Sequence, residues 1–386
     1  MSVWTDPERI PPPPEPPRWS VEHQAWVMSR HADVLAMLRN PEMVASDPGW
    51  ELARIETRTG RRHPHLSAAL EGTMLFQQGP RHRASRAAMR SVLATLSRQW
   101  NAAALGHAAA EILAGLPDEA VLDVATALAD ELPCRVAGDM LGLAPEVLRR
   151  LRTLSQATTS LWRLMPPMRE YARLEELCRE AHEVLEHTPA RLLGLDDPGL
   201  DYPLADLVLF LVIAALDSTA STIAAGLDLL ARDADLQAWL RAEPGLTGAF
   251  VVEVLRLAGP LRRFNRRIVT APAVVAGVKL PEASGVILEI DRAHRDPDAY
   301  PRPDEVALDR AGPALLAFGG GAHACQGAVL GQAQVEAMIA AVVAGFEIAP
   351  APGARTMTDN PILHQFAALP LRLRRAGNAR GAAAGA

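Results

Sequence analysis

The stretch Phe318–Gly327, "FGGGAHACQG", surrounds one cysteine with four glycines and runs into the helix-like "AVLGQAQVEAMIAAVVAGF". Three chemistries use glycine-rich loops. A phosphate cradle needs a Lys-Ser/Thr ending, or a dinucleotide fingerprint between strand and helix in a βαβ unit, and this loop has neither. A nucleophilic thiol needs a partner base, and His323, two residues from Cys325, is badly placed to orient on it. The third chemistry is a thiolate ligand. A single thiolate suits a haem iron, which takes one strong axial ligand from the protein. Glycines let the backbone fold tightly beneath a flat macrocycle, and a helix start favours the thiolate charge. Taken on glycine content alone, a tight turn around a structural cysteine fits equally well.

Two other stretches could act with such a centre. "AALDSTAST" puts an acid, Asp217, and four hydroxyl residues into an otherwise apolar helix. Hydroxyls there can simply bond to the carbonyl one turn back and bend the helix. Beside a haem, an acid next to a hydroxyl can instead relay protons through ordered water into a dry pocket. "EVLR" spaces Glu253 and Arg256 three apart, where they can pair; if exposed, such a pair is worth well under about 1 kcal/mol.

The elements that must position these residues are mostly helices. Helical periodicity marks "HADVLAMLRN", "RHRASRAAMRSVLATL", "AAALGHAAAEILAGL", "VATALADELPCRVAGDMLGL" and "MREYARLEELCREAHEVLEH". It continues through "LADLVLFLVIAALDSTASTIAAGLDLLARD", "LQAWLRAE" and "LTGAFVVEVLRLA". Strand signals are short: "QAWVMS", "RRIVTAPAVVAGVKLPEASGVILEI" and "FAALPLRLR". No internal repeat or dividing linker is visible. The expected organisation is a proline-rich extension over 1–20, one domain over 21–375 and a disordered tail over 376–386.

Of the 386 residues, 49% are hydrophobic and 22% charged, the balance of a soluble globular protein. A net charge of -6 gives no reason to expect nucleic acid as a partner. The three cysteines, Cys134, Cys178 and Cys325, are widely spaced, which argues for a reducing compartment and against disulfides or a zinc site. The N-terminus lacks the apolar core of a signal peptide. The longest unbroken apolar run, Leu207 to Leu216, is short of the roughly 18 residues of a membrane span.

Phe318–Gly327 resembles the haem-binding loop of the cytochromes P450, F-G-x-G-x-H-x-C-x-G, at every fixed position. The resemblance runs from about residue 25 to 374, its elements in the family's order. It implies a mainly α fold, a helix-rich lobe with a small β-rich lobe, and haem b (iron protoporphyrin IX) between the long central helix and the cysteine-loop helix. Cys325 is then the iron ligand, within a loop whose Phe318, Gly319 and Gly327 are matched. His323, His82 and Arg86 (four apart on one helix face), and Arg266 stand where the family meets the haem propionates. The Asp-Pro-Pro usual before the histidine is Gly79-Pro80 here. Arg310 would complete a Glu253–Arg256–Arg310 network holding the loop, and His294 replaces an asparagine in the family's A-N-R-D-P segment.

The helix pattern A/G-G-x-D/E-T-T is matched by Ala214 to Thr219 with two departures, Ala215 for glycine and Ser218 for threonine. Asp217 and Ser218, with Thr219 as substitute, are the expected proton guides, and the serine implies a leakier relay because it lacks the rotamer-fixing methyl. The resemblance places the pocket of a hydrophobic substrate along about residues 60–75, 155–175, the start of the long helix, 261–264 and 361–366, with Ala214, Leu261, Phe264 and Leu363 among its lining. Arg262 and Arg263 are candidates for a substrate carboxylate. The implied activity is a cytoplasmic, monomeric monooxygenase using dioxygen, with electrons from a ferredoxin and ferredoxin reductase; no nucleic acid or membrane is expected. The alternatives are a peroxide-driven peroxygenase on the same fold and a non-catalytic haem-binding sensor.

Overall fold

A computed structural model describes residues 11–158, 167–186, 200–360 and 362–377; the side chains of 155, 158, 204 and 266–269 lie outside that description. Six helices carry the site: α1 (Gly79–Gln99), α2 (Pro145–Thr158), α3 (Met168–Leu185), α4 (Leu204–Ala231), α5 (Thr247–Ala258) and α6 (Ala328–Gly345). Around α4 pack α2, α3, α5 and α6, and α6 also lies against the helix Ala102–Ala114. α4 is apolar on nearly all faces because it is the core helix. Its Gly226 has a structural reason, since a Cβ there would stand 2.9 Å from Ile339 Cδ1 on α6.

The small β region contains a five-stranded sheet in the order Arg18–Ser20, Ala25–Met28, Gly285–Glu289, Arg263–Val269, Met43–Ala45. Only Ala25–Met28 against Gly285–Glu289 is parallel. Arg18–Ser20 belongs to this sheet, so a boundary at residue 20 falls inside a hairpin. The proline segment before it is tied down as well. Arg292, 4% exposed, donates to the carbonyls of Pro12 and Pro13 and to Glu15. A three-stranded sheet, Glu119–Asp123, Pro370–Arg375 and Phe346–Pro350, is fused to the end of α6.

Two of the four apolar clusters among the described residues hold most of the core. The large one fills the helical region, and a smaller one under the five-stranded sheet holds Met28, Val34, Met37, Val286, Leu288 and Leu316. The cysteine loop spans them: Leu316 is rooted in the sheet core, whereas Leu330 of α6 belongs to the helical core. By length and composition, α4 and α6 could each cross a membrane, which corrects the expectation that no stretch is long enough. The apolar character of α4 continues on both sides of Asp217, which interrupts the run without ending it. In α4, 67% of the apolar window is buried within the protein.

Candidate active site

In the loop, Gly319 and Gly321 take left-handed conformations, φ 68° and 64°, which favour glycine. Gly321 is doubly constrained, because a Cβ there would meet Leu38 O at 2.4 Å. The turn closes with Cys325 N–H donating to Phe318 O at 2.8 Å, and α6 starts three residues after the cysteine. Cys325 is exposed, yet protein crowds the sulfur on its other sides. Burial pushes its thiol above the ordinary value, opposed by the Gly327 N–H, the Arg86 charge and the Ala328 N–H.

Facing the loop is α1. Arg86 donates to Ala324 O at 2.9 Å, and Gln326 Nε2 donates back to Arg86 O at 2.9 Å. One turn earlier, His82 stacks on His323 with ring centroids 4.1 Å apart. His82 is 6% exposed, and its Nε2 meets no partner among the described residues. Burial, then the charges of Arg86 and Arg83, lowers its pKa. An orphaned buried imidazole nitrogen beside an arginine and a second histidine is poised for an anion.

Opposite lies α4. One cleft, with about 1230 Å³ of empty space counting its open mouth, is lined by His82, Arg86, Ala214, Ser218, Phe318 and Cys325. His323, Thr219 and Gly327 border it too, and Met74, Leu75, Met89, Phe210 and Leu211 give it apolar walls. The residues present fit a haem: a thiolate from a glycine cradle below, apolar walls, and cationic groups with one unpaired nitrogen for two carboxylates.

The structure separates Asp217 from Ser218. Asp217, 2% exposed, pairs with Arg152 of α2 at 2.9 Å and is not among the cleft lining. Arg152 also pairs with Asp130, and these charges border a second, polar cavity with Ser221, Thr358 and Gln365. The reason is helical geometry: successive residues diverge by about 100°, and at position 217 the side chain falls on the side of α4 that faces Arg152 of α2. Ser218 does line the cleft, with its hydroxyl donating to Ala214 O at 2.7 Å. The expectation of adjacent proton guides is therefore corrected to two residues on different faces of α4.

Glu253, Arg256 and Arg310 converge. Arg256 grips both Glu253 oxygens at 2.8 and 2.9 Å and also donates to the carbonyls of His294 and Glu305. Arg310 reaches the same carboxylate at 3.2 Å. The sequence missed the role of His294, whose ring is fully buried and whose Nε2 accepts the Leu316 N–H at 2.9 Å at the root of the cysteine loop. Burial, and then Arg256, pushes its pKa down to about 3, so the ring is the neutral acceptor. His31 Nε2 lies 2.9 Å from Ala314 O and fixes the same root.

Of the expected pocket residues, Ala214 lines the cleft. Leu261 and Leu363 instead pair in an isolated bridge next to Pro260, and Phe264 sits under Gly319, so none of the three is in the cleft wall. Arg263 is directed to His23, and Arg262 lies near Asp291. The side chain of Arg266 lies outside the described residues. The wall residues Met74 and Leu75 fall at the end of the 60–75 stretch that the resemblance places along the pocket. Gln326 holds a variable motif position and gives no signal.

The family model for cytochrome P450 matches residues 201–373. Nocardicin C N-oxygenase of Nocardia uniformis subsp. tsuyamanensis is 30% identical over 337 residues, 83% of this chain and 82% of that protein. Cytochrome P450 CYP199A2 of Rhodopseudomonas palustris is 29% identical, over 92% of this chain and 86% of that one. In fold the chain is similar to CalO2, with a TM-score of 0.81 at 22% identity and 94% coverage of each chain. Epothilone D-bound cytochrome P450epoK gives 0.81 at 22% identity, covering 97% of this chain and 99% of that one.

Proposed function

The chain belongs to the cytochrome P450 family, a haem-binding monooxygenase family, and on that premise we propose that it oxidises a medium-sized hydrophobic molecule in the cleft above Cys325. The observation that carries the reading is the convergence of Cys325, His82, His323, Arg86 and Ser218 on one cleft with apolar walls. Haem b, when bound, supplies the transfer of one atom of dioxygen to the substrate. Cys325 is its ligand, held by the left-handed glycines and by Arg86 on Ala324. His82, His323 and Arg86 take the propionates, the unpartnered Nε2 of His82 serving as one of the hydrogen-bonding groups.

Met74, Leu75, Met89, Phe210 and Leu211 hold the substrate and exclude water. Among the relatives, one is named for N-oxygenation of nocardicin C. Asp217 reaches the polar cavity behind α4 through its partners Arg152 and Gln365, which line it, and takes protons by that route, while the Ser218 hydroxyl orders solvent on the cleft side. As in the bacterial family at large, electrons come from separate redox partners; a ferredoxin and its reductase in the cytoplasm are the proposed pair, and the chain acts as a monomer.

Holoprotein supplied with NADPH, a ferredoxin and its reductase tests this with isotopically labelled dioxygen and a substrate chosen by its spectral shift. The expected result is one labelled oxygen per product molecule. A peroxide-driven enzyme gains some support from the pairing of Asp217 with Arg152 away from the cleft; it would turn over with peroxide and not with the reductase. Haem binding with no electron consumption under either condition would leave only a sensor.

A further inference from the structure

Away from the cleft floor, the short helix Pro64–Gly72 is fastened at both ends. At its start, the Glu175 carboxylate of α3 accepts the backbone N–H groups of His65 and Leu66 at 3.2 and 2.9 Å. At its end, Gly72 lets the first turn of α4 come close; a Cβ there would lie 2.2 Å from Asp206 Cβ. Between these points His65 Nδ1 faces His182 Nδ1 of α3 at 3.0 Å. The other nitrogen of His182, Nε2, lies 2.7 Å from Asp206 Oδ1, and Asp206 is 2% exposed.

This arrangement decides the tautomer of His182. A buried carboxylate takes the Nε2 proton, which leaves Nδ1 as a lone pair aimed at His65. A carboxylate behind an imidazole is also the usual support of a metal-binding histidine, raising its basicity and fixing its ring. Two nitrogens each about 2.0–2.1 Å from one cation stand roughly 2.9–3.4 Å apart at angles of about 90–110°. The observed separation of 3.0 Å, now spanned by a hydrogen bond, falls in that range.

We infer that His65 and His182 form a two-histidine site for a borderline divalent transition-metal ion such as Zn²⁺, backed by Asp206. Its chemistry follows from the donors. Neutral imidazoles select zinc, nickel or copper over magnesium and calcium. On binding, the His65 proton moves from Nδ1 to Nε2, so neither ring loses a proton overall. No third histidine, cysteine or carboxylate joins the pair among the described residues, so water completes the shell. Both histidines are partly exposed, which gives the ion a path in. A carboxylate is also close by, since Glu175 accepts the backbone N–H of His65 itself.

The consequence reaches the cleft. Met74 and Leu75, just after Gly72, and Phe210 and Leu211, one turn beyond Asp206, line its walls. A metal bridging His65 and His182 would pin the first wall segment to α3 and so stiffen the rim that a substrate passes. The inference does not rest on the proposed oxidation.

Titration of tag-free holoprotein with zinc chloride, followed by calorimetry, tests it. One zinc per chain is expected, no saturable heat from magnesium chloride, and a rise in thermal midpoint with zinc. His65→Gln and His182→Gln keep a polar amide at each position while removing the ligand nitrogen, and each should weaken zinc about tenfold or more. Zinc K-edge absorption of the loaded wild type should show two imidazole nitrogens. Absence of one-to-one binding, or unchanged affinity in either variant with the haem spectrum and helix content intact, overturns the site.

Discussion

His294 shows what a single substitution within a motif can do. The sequence marked it only as standing in for an asparagine; the fold makes it a neutral acceptor for Leu316 N–H, with its pKa pushed down to about 3. The unfolded chain takes up this proton near the ordinary histidine value of about 6.5, and the folded chain does not until far lower pH. The contribution is therefore fully present above pH 6.5 and is lost as pH falls toward 3. Between pH 7 and 5 the wild type should lose about 2 kcal/mol of unfolding free energy that His294→Asn does not. Equal losses in denaturant titrations at the two pH values would refute the assignment. Cys325, His82 and Arg86 were readable because their spacing is local. The Asp217–Arg152 pair was not, since the partner lies on another helix 65 residues away in sequence.

At the scale of elements, long amphipathic or apolar periods were legible: α1, α3, α4, α5 and α6 all stand close to where the pattern put them. The stretch 124–143 reads as one helix but divides into Val124–Ala127 and Glu131–Leu141. Pro48–Thr59, Pro64–Gly72 and α2 were missed, and so were Arg18–Ser20, Met43–Ala45 and Glu119–Asp123. These strands are three to five residues long, too short for an alternation to declare itself, and they form because a partner strand is waiting. The cysteine loop is the element most exposed to a backbone test. Gly321→Ala must pay about 1–2 kcal/mol for the left-handed conformation and also push Leu38 O away. Haem content of the purified variant should fall roughly fivefold or more while far-ultraviolet helix signal is retained. Full haem loading would show that the loop tolerates a side chain there.

The whole molecule joins two cores through the cysteine loop, and α1 presents exposed Arg83 and Arg90 beside it, while Arg81 is tied to Asp201 and Arg86 to the loop. If an acidic electron carrier docks on this face, Arg83→Glu with Arg90→Glu should slow reduction by about tenfold at low ionic strength, and the difference should shrink by about 0.5 M salt as screening shortens to a few Å. A salt-independent rate, equal in both proteins, would place docking elsewhere. The family was legible because one ten-residue motif is nearly self-sufficient; which side chains of the pocket segments face one another was not, because Met74, Leu75, Phe210 and Leu211 meet only through the tertiary fold. Everything said of the active site depends on Cys325 as the iron ligand, and the absorption spectrum of the reduced protein with carbon monoxide reports that bond. The account predicts a strongly red-shifted main band in the wild type and its loss in Cys325→His. A band at the shorter wavelength of histidine ligation in the wild type, or a red-shifted band surviving in the variant, would contradict it.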